Sequence, residues 1–176
     1  MNISKKQLTI IVSVFAVISF LTIGIAVWAL FFRDNGPTPI NSDYTPQETE
    51  QNQKPIEGDA GEKIESSSGG GAIRVTYGTN VTVDLSESKV TLLYANPHAS
   101  NQNVAILIMM DELVIAKSEQ ITPGHGVDTL HLERYAKERL TVGTYNGELL
   151  IKAFDSQTGA KAMVDTKGEI TIIVVE

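Results

Sequence analysis

Leu140-Thr141-Val142-Gly143-Thr144-Tyr145-Asn146-Gly147-Glu148-Leu149-Leu150-Ile151-Lys152-Ala153-Phe154 is the stretch on which the reading of the fold turns. Glu148 to Phe154 is rich in apolar residues and reads as a strand. Asp155-Ser156-Gln157-Thr158-Gly159 follows as a hairpin loop, with glycine supplying the positive φ such loops need. Ala160 to Val164 is the expected return, and Ile170 to Val175, rich in β-branched residues, closes the chain as a strand.

Working back from that stretch, Leu132, Tyr135, Ala136 and Leu140 have helical spacing, with Glu133 and Lys137 placed to pair at i, i+4. A short helical turn is expected there. Val127 to Leu132 reads as a strand after the break at Thr122-Pro123-Gly124. Val104 to Met110 is apolar on both faces, so it should be central, and Asp111-Glu112 reverses it into Leu113 to Lys117. Ile73, Val75 and Tyr77, then Val81, Val83 and Leu85, then Val90, Leu92 and Tyr94, alternate with polar neighbours. That period of two marks half-buried strands. Gly78-Thr79-Asn80 and Glu87-Ser88 interrupt them as turns. About eight short strands at regular spacing predict an all-β, antiparallel β-sandwich over residues 73–176. With no cysteine in the chain, it must rest on its aliphatic core.

Leu140-x-x-Gly143-x-Tyr145 sharpens this expectation. In immunoglobulin-like and fibronectin type III sandwiches a tyrosine at the start of a late strand bonds back to upstream backbone and locks the crossover between sheets. Tyr145 stands in that place, Leu140 is the apolar plug, and Gly143 lies between them. Together with Asn96-Pro97 after an early strand and Pro123-Gly124 before a middle one, the motif resembles the small single-pass β-sandwich proteins of low-GC Gram-positive bacteria. The resemblance covers most of residues 73–176. It implies fold and location; it brings no chemistry and no functional residues.

Before this domain the composition changes twice. Leu8 to Phe32 holds about 25 residues without a charge, where roughly 20 suffice to cross a bilayer. Its Leu, Ile, Phe and Val residues each contribute about −0.3 to −0.6 kcal/mol near the bilayer centre, and Trp28 near the outer end suits the headgroup region. Lys5 and Lys6 precede the run, whereas Arg33 after it is offset by Asp34. The positive-inside rule therefore places residues 1–7 in the cytoplasm and the C-terminal domain outside. Val27-Trp28-Ala29 loosely imitates a signal-peptide cleavage site, but the apolar run is long and continues through Leu30-Phe31-Phe32, so an uncleaved anchor over 8–32 is expected.

Residues 33–72 are punctuated by Pro37, Pro39, Pro46 and Pro55 and end in Ser66-Ser67-Ser68-Gly69-Gly70-Gly71. With so few apolar residues the segment is expected to be a disordered linker, spanning roughly 35 Å as a flexible coil. It carries eight acidic residues against Lys54 and Lys63, plus Arg33 at its boundary; residues 73–176 carry thirteen acids against nine bases. Neither part offers a basic surface for phosphate backbones, which argues against nucleic-acid binding.

No nucleophile motif, phosphate-cradling glycine loop or catalytic cysteine appears, so the chain reads as a non-enzyme without a cofactor. The acidic pairs Asp111-Glu112 and Glu133/Glu138 fit exposed turns or a helix face. His125, Asp128, His131 and Glu133 lie close in sequence and form the one set to weigh as a metal site. His125 sits in a Pro-Gly-His-Gly turn and would have to fold back to reach the strand that carries His131. Two functions follow. The first is a non-catalytic adaptor, anchored in the membrane, that binds a membrane-proximal protein. Its contacts would come from sheet-edge backbone or from the polar loops Asn96 to Asn103 (Asn96, Pro97, His98) and Thr122 to Asp128 (Pro123, Gly124). The second is a metal- or small-ligand-binding sensor or accessory protein using the His125/His131 region.

Overall fold

A computed structural model describes Phe15 and residues 18–24, 44–65 and 71–176. The chain divides into two compact units, Met1–Gly36 and Pro37–Glu176. In the first, residues 18–24 are helical (α1), with Ile18, Phe20, Leu21 and Ile23 exposed. The Thr22 hydroxyl bonds back to the carbonyls of Ile18 (3.1 Å) and Ser19 (2.9 Å), so its polarity is satisfied inside the helix. Most of the apolar run Leu8–Phe32, with Trp28 and the flanking Lys5, Lys6 and Arg33, lies outside the described residues. Among the described residues no helix is long and apolar enough to cross a membrane.

The second unit is all-β. Its strands are β1 (Lys54–Pro55), β2 (Thr76–Tyr77), β3 (Asn80–Asp84), β4 (Lys89–Asn96), β5 (Gln102–Met110), β6 (Leu113–Lys117), β7 (His125–His131), β8 (Gly143–Asp155) and β9 (Thr166–Val175). A single helical turn, α2 (Arg134–Lys137), precedes β8. The strands form one nine-stranded sheet in the order β1-β7-β4-β3-β9-β8-β5-β6, with β2 added on β4. Isolated bridges Ala116↔Leu132 and Val104↔Ile121 tie the β5–β6 end back toward β7, so the sheet curls around one core. Every ladder between neighbours is antiparallel except β3–β9, which runs parallel from Asn80↔Thr171 to Asp84↔Val175. The expectation of an antiparallel architecture fails at that one pairing. The polypeptide reaches β9 only after crossing the whole sheet, so nothing requires the antiparallel return that a hairpin imposes.

Packing follows the period of two. Val81, Val83, Val90, Leu92, Tyr94, Ile106, Ile108, Ile151, Ile172 and Val174 point inward into the main core. Val104 to Met109 are fully buried on both faces of β5. Their outer face forms a second cluster in which Leu107, Met109, Val114 and Leu150 pack together, with Tyr44 against them. Leu132, Tyr135, Ala136 and Leu140 are all buried, and the Tyr135 hydroxyl donates to the Val114 carbonyl at 2.7 Å. Glu133 and Lys137 do not pair with each other. Glu133 meets Lys117 at 3.2 Å and Lys137 donates to Ser88 Oγ at 2.8 Å, because tertiary partners outcompete the helical neighbour.

Two expectations on the β-strands need correction. Ala160 to Val164 is not a strand: it makes one bridge, Phe154↔Lys161, then bulges outward at Met163, which is fully exposed, and Val164. The loop before it is closed by Asp155, whose carboxylate accepts the amides of Gln157 (3.0 Å) and Thr158 (2.7 Å), with Gly159 at φ 70°. The second correction concerns the linker. Residues 44–65 are not a disordered tether, and the folded unit does not begin at Ile73. They contribute β1 and run along the rest of the unit, and the described part of the segment is held by backbone pairing, which leaves no trace in apolar content. Residues 33–43 and 66–70 lie outside the described residues.

Ile106→Ala, at the fully buried centre of β5, is expected to cost about 2–5 kcal/mol. Met163→Ala in the exposed bulge should stay within about 0.5 kcal/mol of the parent. Urea unfolding of the two variants checks the assignment of inside and outside.

Candidate functional site

Thr122-Pro123-Gly124-His125 is a tight turn. The His125 amide returns to the Thr122 carbonyl at 3.2 Å, and Gly124 has φ 83°, the combination of Pro then positive φ that defines a type II turn. The Gly124 amide donates to the Asn96 carbonyl at 2.7 Å, which joins this turn to the loop that follows β4. Asn96 is fully buried; its side-chain amide donates to the carbonyls of Gln102 and Ile121, each at 3.0 Å. The two loops singled out in the sequence therefore lie side by side, but Asn96 is a structural clamp between them rather than a contact residue. His98 is exposed, and Pro97, Pro123 and Gly124 are half-buried.

Those loops are covered by residues 44–65. The coverage follows a row of main-chain N–H groups that no strand satisfies. The Gln120 amide donates to the Glu48 carbonyl (3.0 Å), and the Glu50 amide returns to the Gln120 carbonyl (2.8 Å). The Glu119 amide donates to the Glu50 carboxylate at 2.9 Å, and the Thr122 amide to the Gln53 side-chain oxygen at 3.0 Å. Further along, the Ile56 amide donates to the Gly124 carbonyl at 2.9 Å, and the His98 amide donates to the Asp59 carboxylate. Lys63 Nζ reaches the Ser100 carbonyl at 2.7 Å, and the Ile64 amide the Ala99 carbonyl at 2.8 Å. β1 adds to the β7 edge at Lys54↔Gly126 and Pro55↔His125. Lys54–Pro55 adds to the β7 edge as a strand, and turns at Gln51-Asn52 and Glu57-Gly58 lay the rest of the segment over the loops; main-chain bonds give attachment, and side-chain oxygens give register.

The seam is acidic. Tyr44 Oη donates to the Ser118 carbonyl at 2.9 Å and approaches Glu119 Oε1 at 3.4 Å. Glu119 faces Glu48 and Glu50. Burial, reinforced by those two charges, holds the Glu119 carboxyl above its ordinary value, against the opposing bond from Tyr44 and the charge of Lys117. Lys117 Nζ lies 5.5 Å from the Tyr44 ring centroid. Burial, then Glu119, keeps the Tyr44 phenol well above its usual range, so it remains a donor.

The structure does not bring His125, Asp128, His131 and Glu133 together. His125 Nδ1 bonds within its own turn, to Thr122 Oγ1 at 2.9 Å. His131 stands exposed at the far end of β7, roughly 20 Å away at the usual strand rise. Asp128 pairs with Lys54, whose bond lowers its carboxyl pKa, and Glu133 pairs with Lys117. Among the described residues no group of three His, Cys, Asp or Glu side chains could hold a metal ion. A shallow hollow elsewhere, lined by Asp111, Asn146, Glu148 and Glu169 among others, has Glu148 already paired with Lys167 at 2.8 Å.

Leu140, Gly143 and Tyr145 form a built corner. Tyr145 Oη donates to the Thr141 carbonyl at 3.0 Å and contacts Thr141 Oγ1 at 2.8 Å. A Cβ on Gly143 would lie 3.2 Å from that hydroxyl and 3.4 Å from the ring, so glycine leaves the phenol its place. Leu140 is buried beneath it.

No family model matches the chain, and no curated protein matches it in sequence. Among solved structures it is similar to AggA, the major subunit of aggregative adherence fimbriae type I from Escherichia coli, with a TM-score of 0.32 and 10% identity, over 64% of this chain and 100% of that one. A likeness that slight carries no argument about fold or function.

Two outcomes follow. Tyr145→Phe should lower stability by about 0.5–1.5 kcal/mol, read from the urea midpoint. The seam should also tighten on mild acidification. A carboxyl raised in the folded state binds its proton more readily there than in the unfolded chain, so stability increases as pH falls through the raised value toward the ordinary 4.5. The depressed carboxyls of Asp128 and Asp155 act oppositely: their contribution is present above 3.8 and is lost as pH falls further. Limited proteolysis within residues 44–65 should thus be slowest in mild acid, and Glu119→Gln should flatten that upper part of the profile.

Proposed function

We propose that the chain is a membrane-anchored, extracytoplasmic adaptor without catalytic activity, whose C-terminal unit binds a protein close to the membrane. In this reading Leu8–Phe32 is the single span, residues 1–7 face the cytoplasm, and residues 33–176 stand outside, as in the small single-pass β-sandwich proteins that the sequence resembles. The head is an immunoglobulin-like sandwich. Supporting that finer reading are the Tyr145 corner at the β7–β8 crossover and the parallel β3–β9 pairing, which joins the first long strand to the last.

One observation carries the functional proposal: the Asn96–Asn103 and Thr122–Asp128 loops, the neighbouring Glu119–Gln120 segment and the β7 edge already hold a peptide, residues 44–65, through main-chain bonds and three side-chain acceptors. A surface that reads a peptide in this way is the equipment of a binding module. The four side chains of the ligand- or metal-sensing alternative are dispersed, and two of them are ion-paired.

A photo-crosslinker at His98, tested in intact cells, should capture a membrane or envelope protein, whereas one at His131 should not. Capture of nothing from His98 while the protein is folded and present would contradict the reading.

A further inference from the structure

We propose that the groove beneath residues 44–65 is itself the partner site, and that this strap is its resident competitor, displaced by a partner peptide segment offering oxygen acceptors placed as Glu50, Gln53 and Asp59 place theirs. The inference rests on the adaptor reading above and adds the chemistry of the partner and the regulation of the site. The groove presents the outward amides of Glu119, Thr122 and His98, each bonded to a strap side-chain oxygen rather than to a strand. The occupant they select is acidic or amide-bearing at those three points. Basic residues of the occupant would sit where the strap puts its own, Lys54 on Asp128 and Lys63 on the Ser100 carbonyl.

The strap is built to leave. No residue of 44–65 belongs to the main core, and only Tyr44 touches the second cluster. Tyr44 is held at the Ser118 carbonyl and Ile64 at the Ala99 carbonyl. Releasing the strap thus leaves β3 to β9 intact. A tethered strap competes at an effective concentration in the millimolar range, so an incoming segment binds the intact chain weakly until the strap is loosened.

The test uses the full chain and, as probe, a fluorescently labelled synthetic peptide of residues 44–65. Anisotropy is followed for the parent, for the triple variant Glu50→Ala, Gln53→Ala, Asp59→Ala, and for a chain lacking residues 44–65. The expected result is peptide affinity at least about tenfold higher in the two altered chains than in the parent, with both altered chains monomeric. Capture from a crosslinker at His98 in cells should also be stronger in the triple variant. Altered chains with native circular dichroism that fail to bind the peptide overturn the exchangeable groove. Self-association of the altered chains into dimers makes a second copy the occupant and overturns the partner assignment. If the parent captures a protein at His98 and the triple variant captures it no better, strap displacement falls while the adaptor reading stands.

Discussion

Main-chain N–H groups that point out of a fold must find an acceptor, and the amides of His98, Glu119, Gln120 and Thr122 find theirs in residues 44–65. An amide left unmatched when buried costs about 1–3 kcal/mol, which is comparable with a sizeable fraction of a small domain's net stability. The segment that satisfies these donors lies outside the main core, with Tyr44 packed against the second cluster and Pro46 buried. Its attachment is a matter of directional bonds with Glu50, Gln53 and Asp59 as fixed points, on a body whose cohesion comes from elsewhere.

That cohesion is aliphatic. The chain has no disulfide to lean on. It places β5 between β8 and β6 and buries Val104 to Met109 on both sides. The Tyr145 hydroxyl and buried Leu140 fix the entry into β8, and Asn96 ties the start of β5 to Ile121. The two loops at that end are consequently held in register by buried bonds, while their outward amides are met by residues 44–65. A rigid frame presenting a row of donors is what peptide capture by strand addition requires.

Much of this was legible in the amino-acid order. Alternation at Val81, Val83, Val90 and Leu92, and the two-faced apolar run at Val104 to Met110, correspond to β3, β4 and β5. Pro123-Gly124 announced its turn, and Leu140 to Tyr145 its corner. Residues 44–65 were not legible, because a segment held by backbone and carboxylate acceptors has the composition of a solvated tether. The only local hints are isolated: Tyr44, Ile56 and Ile64 spaced through a polar run. Nor could the sequence reveal that Asn96 is a buried clamp, since an Asn-Pro pair reads first as a loop. The histidine set failed for the opposite reason: closeness in sequence on an extended strand separates side chains, whereas on a helix it would have gathered some of them.

Amide hydrogen exchange on the full chain tests the central claim most directly. If residues 44–65 are folded onto the loop end, the amides of His98, Glu119, Gln120 and Thr122 are protected well beyond free-peptide rates, and that protection is lost when residues 44–65 are deleted while β5 and β8 stay protected. Free-peptide exchange at those amides in the intact chain, or protection unchanged by the deletion, would contradict it.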